Sequence, residues 1–354
     1  MICRILLLLA TVCCAWPAAI KSDETVVFFP TTGRLTSDRS SWELEIHGIV
    51  YESAQAGLTL ALLRASLGIA EVEMDNEAKT IFAERTRVFL ADNERGKAVS
   101  IRIGSHLYPM NETEANGHFH GRLLLSAGEV ERWSSANSAG PTRIAYRAEL
   151  EPGDNRAFTG EVFLVAPTGL SVISDVDDTI KLSQVTDRKA LLRNTFLEPF
   201  QPVAGMASQY QSWATNAGTQ FHYVSASPWQ LFGPLSEFVR THGFPAGSMH
   251  LRMFRWKDES FANLFASPEA YKRSVIETLL ERFPARRFIL VGDSGEKDPE
   301  IYAALARRYP NQIERILIRD VTGRSANHPR YQTCFGDLPP SLWRIFDGPK
   351  DSLE

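Results

Sequence analysis

From Gly169 onward the chain alternates short apolar runs with amphipathic stretches, and no other feature narrows its fold as far. The runs "LSVISD", "TQFHYVSAS", "MHLRMF", "RFILVGD" and "RILIRDV" show little polar alternation, as strands covered on both faces do. Between them lie helical periods. "MASQYQSWATNAG" sets Met206, Tyr210, Trp213 and Ala217 on one face, and "PLSEFVRTHG" does the same with Leu235, Phe238, Val239 and His242. "YKRSVIETLLERF" aligns Val275, Ile276, Leu279, Leu280 and Phe283. "DPEIYAALARRY" reads as a helix with Asp298 as N-cap and Pro299 at its first position, repeating Tyr302, Leu305 and Tyr309. Strand-helix alternation of this kind predicts an α/β domain built on a doubly wound, Rossmann-like parallel sheet. Ligands of such sheets bind outside the carboxyl ends of the strands.

The preceding stretch has a different texture. "TVVFFPTTG", "WELEIHGIVYE", "RVFLADNE", "VSIRIGSHLY", "GHFHGRLLLS", "RIAYRAEL" and "TGEVFLVAP" are short, strand-like runs punctuated by turn residues. One helical interruption, "AQAGLTLALLRASL", sits among them. This predicts a β-rich, sandwich-like domain with an inserted helix over 24–167, followed by the α/β domain over 168–345. The break falls near Pro167, and a connection this short predicts a fixed interface.

The first residues, "MICRILLLLATVCCAWPAAIKSDE", read as an export leader: one arginine, an apolar core over 5–16, then small residues. The apolar run is short of the roughly 20 residues a spanning helix needs. Residues 1–19 are therefore expected to be a signal peptide and the protein to be periplasmic or secreted. Cys3, Cys13 and Cys14 fall inside that leader, which leaves Cys334 without an intrachain disulfide partner. A formal net charge of -4 argues against general nucleic-acid binding.

Chemistry-bearing residues gather at the expected strand ends. The first strand delivers Asp175, Asp177, Asp178 and Thr179; the second, Ser225 and Ser227; the fourth, Asp293 and Ser294, with Asp298 following. Lys272 opens the helix before that fourth strand. Carboxylates this crowded need a hard cation with oxygen ligands, and Mg²⁺ suits an incomplete site that leaves room for water and phosphate. Phosphoryl transfer follows: one carboxylate attacks phosphorus, a second protonates the leaving oxygen and then activates water. A hydroxyl and a lysine hold the remaining phosphate oxygens.

D-x-D-x-T after an apolar strand, Ser after the next, a later Lys and a G-D-x-x-x-x-D resemble the haloacid-dehalogenase-type (HAD-like) phosphatases. More narrowly, "SDVDDTIK", "LLRNTF", "YVSASPWQL", "HLRMF" and "FILVGDSGEKDPEIY" resemble the Mg²⁺-dependent phosphatidate phosphatases related to the yeast actin-patch phosphatase, over about residues 165–325. That resemblance implies Asp175 as nucleophile and Asp177 as acid/base. It implies Thr179, Ser225 and Lys272 as phosphate-binding residues. Metal ligation falls to Asp175, Asp177 (through its backbone carbonyl), Asp293 and Asp298. Asp178 matches no catalytic position of the family and is assigned to orienting the turn. The implied substrate is phosphatidate, presented by a peripheral membrane surface. The family's well-studied member is cytosolic, whereas this chain opens on an export-like segment.

Other readings stay beside this one. The machinery suits another lipid or soluble phosphomonoester equally well, and the β-rich half leaves room for a non-catalytic exported binding protein. "GDSG" around Ser294 resembles a serine-protease motif, but a strand end is the wrong context and no supporting histidine stands upstream. His118 and His120 share one strand face, where a packing role is expected over metal binding. Trp229 is expected in the core. Lys181, Arg188, Lys189 and Arg193 form either a solvated face or a basic rim, as do Arg252, Arg255 and Lys257. The flap over 186–202 and the insert over 256–268 are too short for a folded cap, which predicts an open crevice.

Overall fold

The computed structural model describes residues 18–53, 58–71, 74–135, 141–216, 218–253 and 269–348. The leader's apolar core and the 256–268 insert, with Arg255 and Lys257, lie outside them. Among the described residues, no helix is long and apolar enough to cross a membrane.

The first half contains strands β1 (Glu24–Phe29), β2 (Thr31–Leu35) and β3 (Ser41–Glu52), then helices α1 (Leu58–Leu67) and α2 (Asn76–Arg87). It continues with β4 (Asp92–Asn93), β5 (Ser100–Ile103), β6 (His106–Pro109), β7 (His118–Ser126), α3 (Ala127–Trp133), β8 (Ser134–Ser135), β9 (Arg143–Ala148) and β10 (Thr159–Val165). Hydrogen bonds join these strands into one ten-stranded sheet. Long β3 is its organiser: β7 pairs along one edge, while β1 and β2 share the other. Alternate residues of β3 (Leu44, Ile46) point into a core with Phe28, Phe119 and Ile144.

Two expectations fail here. "RVFLADNE" is not a strand: α2 runs into a 3₁₀ turn at Val88–Leu90, and only Asp92–Asn93 pair with β3. The reason is tertiary, because Phe89 turns inward against Phe196, with ring centroids 5.8 Å apart. Helix α2 itself was not anticipated. Asp75 caps it by accepting from Ala78 N–H at 2.8 Å, and it buries Ala78, Phe82 and Arg85 on one face.

The second half contains β11 (Leu170–Ser174), α4 (Arg188–Phe196), α5 (Met206–Ala214), β12 (Gln220–Pro228), α6 (Phe232–Thr241) and β13 (Ser248–Arg252). Then follow α7 (Glu269–Arg282), β14 (Arg287–Asp293), α8 (Asp298–Arg308), β15 (Ile313–Arg319), α9 (Pro329–Phe335) and β16 (Trp343–Phe346). All six strands pair in parallel, in the order β13-β12-β11-β14-β15-β16. Val172 and Val291 point to the side covered by α4, α5 and α6, and Ile173 and Leu290 to that covered by α7, α8 and α9. From β11 the chain builds outward to β13, then returns to lay β14 against the opposite edge of β11. The order reverses between β11 and β14, and a crevice must open at their carboxyl ends.

The strands of the two halves do not mix, yet one apolar cluster runs through both, uniting Phe29, Tyr51, Phe82 and Phe89 with Phe196, Trp229 and Leu235. Arg85 reaches across to the carbonyls of Thr195 (2.7 Å) and Glu198 (2.8 Å) and lies over the Phe200 ring. Arg282 answers from the other side, binding Glu45 at 2.6 Å and Glu43 at 3.2 Å. The connecting chain is fixed by Arg286, which is 1% exposed. Its guanidinium donates to the carbonyls of Ala166, Thr168, Leu170 and Gly218 and to Ser171 Oγ.

Candidate active site

The crevice between β11 and β14 is where the sequence's carboxylates meet. Asp175 follows the last residue of β11, its N–H bonded to Val291 O on β14 at 2.9 Å. Its Oδ1 accepts from Lys272 Nζ at 3.0 Å and its Oδ2 from Thr179 Oγ1 at 3.0 Å. Lys272, 1% exposed on α7, also donates to Asp298 Oδ1 (2.5 Å) and Glu296 Oε2 (3.0 Å). Burial pushes the Asp175 carboxyl well above the usual carboxylate range. Lys272 opposes that shift, and Asp298, Glu296 and Asp177 reinforce it. The lysine is held above its ordinary value, because Asp175, Asp298 and Glu296 together outweigh the cost of burying it.

Asp293 ends β14. Its Oδ1 accepts from the N–H groups of Gly295 (2.6 Å) and Glu296 (3.2 Å), while its fully buried Oδ2 has no hydrogen-bond partner. Burial and then the charge of Asp298 raise this carboxyl well above its normal range. Two glycines make the packing possible. A Cβ on Gly292 would stand 2.3 Å from Asp298 Oδ2, and one on Gly295 would stand 2.9 Å from Asp293 Oδ1. Asp298 is the first residue of α8 rather than its N-cap, which is Lys297. Its side chain is spent on Lys272 and on the Asp293 N–H (3.2 Å), so it braces the strand end instead of its own helix.

One oxygen from each of Asp175, Asp293 and Asp298 lies within 4.8 Å of the others. An orphaned buried carboxylate oxygen beside two further carboxylates is a donor set for a hard divalent cation. The residues fit Mg²⁺.

Asp177 stands apart from that triad. Its Oδ1 accepts from Lys181 Nζ (2.8 Å) and Ser183 Oγ (2.7 Å), its Oδ2 from Ser227 Oγ (2.9 Å) and Ser225 Oγ (3.2 Å). Burial raises its carboxyl, but the Lys181 charge and the bonds from Lys181, Ser183 and Ser227 override this and bring it down to about 2. Lys181 therefore belongs to no exposed rim: it is 1% exposed, holds Asp177 and lies over the Phe200 ring. Asp178 takes the left-handed conformation (φ 54°) and accepts from the N–H groups of Ser183, Gln184 and Val185 at 2.6–2.9 Å. The three crowded aspartates are thus neutralised separately: Asp175 by Lys272, Asp177 by Lys181, and Asp178 by backbone amides.

Asp177, Ser227 and Glu296 line a cavity of about 570 Å³ together with Lys297, Glu300, Arg324 and Arg330. Glu296 and Arg330 were not singled out from the sequence. Arg330 joins the site through Glu300 and the carbonyls of Ser294 and Glu296. Ser294 is buried, bonding Asp320 Oδ1 (3.0 Å), Thr322 Oγ1 (3.2 Å) and the Val321 N–H (2.9 Å), so "GDSG" presents no nucleophile. His118 and His120 face the interface between the halves: His118 bonds His47 at 3.0 Å and His120 stacks on the same ring. Trp229 is core, edge-on to His118 and Phe29.

Fold and site define an α/β domain whose switch point gathers three buried aspartates and a glutamate around a buried lysine. Residues 170–320, from the start of β11 to just past β15, match the family model described as Phosphatidate phosphatase APP1, catalytic domain. Phosphatidate phosphatase APP1 of Saccharomyces cerevisiae is 37% identical over 170 residues, covering 47% of this chain and 28% of the yeast protein. An uncharacterized protein of Schizosaccharomyces pombe is 35% identical over 191 residues, covering 53% of this chain and 31% of its own length. Through this segment the chain is related to the phosphatidate phosphatase family. The matched part spans less than a third of either relative.

Proposed function

We propose that the protein is an exported, HAD-like, Mg²⁺-dependent phosphatase that hydrolyses a phosphomonoester through an aspartyl-phosphate, with phosphatidate as substrate. The observation that carries this reading is the meeting of Asp175, Thr179, Lys272, Asp293 and Asp298 at one switch point, with Asp293 Oδ2 left unpartnered. Asp175, Asp293, Asp298 and the Asp177 carbonyl would hold the metal. When bound, it supplies charge that ionises the buried acids and offsets repulsion from the phosphate.

Asp175 is oriented by Thr179 and Lys272 so that one carboxylate oxygen attacks phosphorus while the ester oxygen leaves. The leaving oxygen takes its proton from Asp177, whose carboxylate then removes a proton from the water that hydrolyses the acyl phosphate. As held here, Asp177 is ionised at neutral pH. Its acid role requires that it turn from Lys181 and Ser183 toward the cavity it already lines. Lys272 and the Ser225 hydroxyl receive the phosphate oxygens.

A lipid substrate is supported by the family relation and by α4. This helix separates the catalytic cavity, to which it gives Leu191, from a second groove of about 520 Å³. That groove has an apolar floor (Leu67, Ile69, Leu192, Leu197), and its charged lining residues, Arg188, Lys189 and Arg193, are all cations. Arg193 is paired with Glu198 at 2.6 Å. Such a surface suits an anionic bilayer, where each basic residue contributes about 1 kcal/mol. Phosphate release from phosphatidate in mixed micelles, with Mg²⁺ and with chelator, tests the proposal against a panel of soluble esters. Faster release from sugar phosphates moves the substrate to the soluble class, and full activity in excess chelator rejects the metal.

A further inference from the structure

A lysine ammonium has three N–H donors and no acceptor. All three of Lys272 are engaged: by Asp175 Oδ1 at 3.0 Å, Asp298 Oδ1 at 2.5 Å and Glu296 Oε2 at 3.0 Å. In the arrangement described, Lys272 has no donor left for a phosphate oxygen. One carboxylate must give way before an oxyanion can bind. Asp175 and Asp298 are fixed, with side chains 1% and 0% exposed and second oxygens tied to Thr179 Oγ1 and the Asp293 N–H. Glu296 differs. Its side chain is 16% exposed and lines the cavity through which a substrate would arrive. Its backbone is pinned by the Asp293 carboxylate and by Arg330, so the carboxylate can swing without moving the loop.

We propose that Glu296 is a positioning residue that acts as an anionic gate. Its carboxylate occupies the phosphate's place on Lys272 and is exchanged for a phosphate oxygen when substrate binds. The inference rests on the reading of Lys272 as a phosphate-binding residue. No bond is made or broken: one charged hydrogen bond replaces another, and the displaced carboxylate moves into a cavity whose wall carries Lys297 and Arg324. The gate has two consequences. It keeps the buried ammonium neutralised between turnovers, and it makes every incoming phosphate compete with a tethered anion. The site is thereby selective for dianions, which repay that exchange better than singly charged carboxylates or sulfate monoesters.

The test is calorimetric titration of inorganic phosphate into the full chain, comparing wild type with Glu296→Gln and Glu300→Gln. Glu300 lines the same cavity and carries the same charge, but its partner is Arg330. A gate predicts that Glu296→Gln tightens phosphate binding about tenfold, the scale of one charge-assisted hydrogen bond released, while Glu300→Gln changes it less than about threefold. In turnover with a soluble ester, KM should fall about tenfold in Glu296→Gln and kcat stay within about threefold. Equal tightening in both variants would reduce the effect to through-space charge and overturn the gate, as would unchanged phosphate affinity in Glu296→Gln. Affinity is read without turnover, so an inert wild-type chain that still shows the tenfold difference rejects the phosphatase reading and leaves the gate standing.

Discussion

Acid should weaken this protein through the histidines at the seam between its halves. His118 is 1% exposed, bonds His47 Nε2 through its Nδ1, and leaves its buried Nε2 without a partner. Burial, followed by the nearby His120, depresses its pKa to about 3. Around it stand His47 and His120, the rings of Phe29 and Trp229, and, across the cavity, His250, lowered by burial to about 4. Glu114 and Glu45 lean on His120 in the opposite sense, but burial still keeps that ring below its ordinary value. An imidazole depressed in this way takes up its proton only on unfolding. Its contribution is complete above an unfolded pKa of about 6.5 and is lost as the pH falls toward the folded value. For His118 alone the loss is about 2 kcal/mol at pH 5 and about 3 kcal/mol at pH 4, a large share of an ordinary domain's stability. The buried carboxyls of Asp175, Asp293 and Glu296 have raised pKa values and oppose this trend, so the comparison must be between two chains. Urea midpoints of wild type and His118→Phe should be measured from pH 7.5 to 4.5, with the m-value checked for constancy. The substitution keeps a flat ring against Phe29 and should flatten the pH slope by close to one proton. An identical slope in both chains would refute the assignment.

Asp175→Asn should abolish phosphate release with the fold intact, since the amide keeps the shape of the carboxylate but cannot attack phosphorus; residual turnover in the purified variant counts against Asp175 as nucleophile. Asp293→Asn keeps an oxygen for the Gly295 and Glu296 N–H groups but should raise the Mg²⁺ concentration for half-activity by at least about tenfold. Arg286→Ala strips donors from four carbonyls and Ser171, and should cost about 3–5 kcal/mol in urea unfolding; a loss under about 1 kcal/mol means water replaces the guanidinium. Arg188→Glu should raise KM for phosphatidate in micelles and leave that for a small soluble ester unchanged, whereas equal losses on both would assign α4 to catalysis itself.

The parallel sheet was legible because strands covered on both faces cannot hide their apolar runs; which strands would lie side by side, and that the order reverses at β11, was not. Asp175, Thr179, Asp293 and Asp298 were legible for a related reason: they follow strand ends, where such side chains gather; Lys272, on a helix, was legible through the family pattern. What escaped the sequence depends on contacts between distant segments. Lys181 sits four residues after Asp177 and reads as one of several surface cations, but the segment between is a turn, and folding it brings the ammonium onto the carboxylate. Glu296 lies between two recognised aspartates and gains meaning only when α7 brings Lys272 to it. Helix α2 had a readable cap in Asp75 and a readable face, yet its polar sequence concealed them. Val88–Leu90 looked like a strand because an apolar triplet does not reveal which neighbour it packs on. The edge strand β16, four residues long, carried no signal of its own.

The cluster that joins Phe82 and Phe89 to Phe196 has a consequence for where the chain could be cut. Residues 170–320, the segment that matches the family model, carry Asp175, Lys272, Asp293, Glu296 and Asp298, yet one flank of its own helix layer is finished by side chains that lie upstream of it. The length of chain that holds the acids and the length that keeps its own core covered are therefore different. Cut out by itself, the 170–320 segment would turn the Phe196 ring toward water.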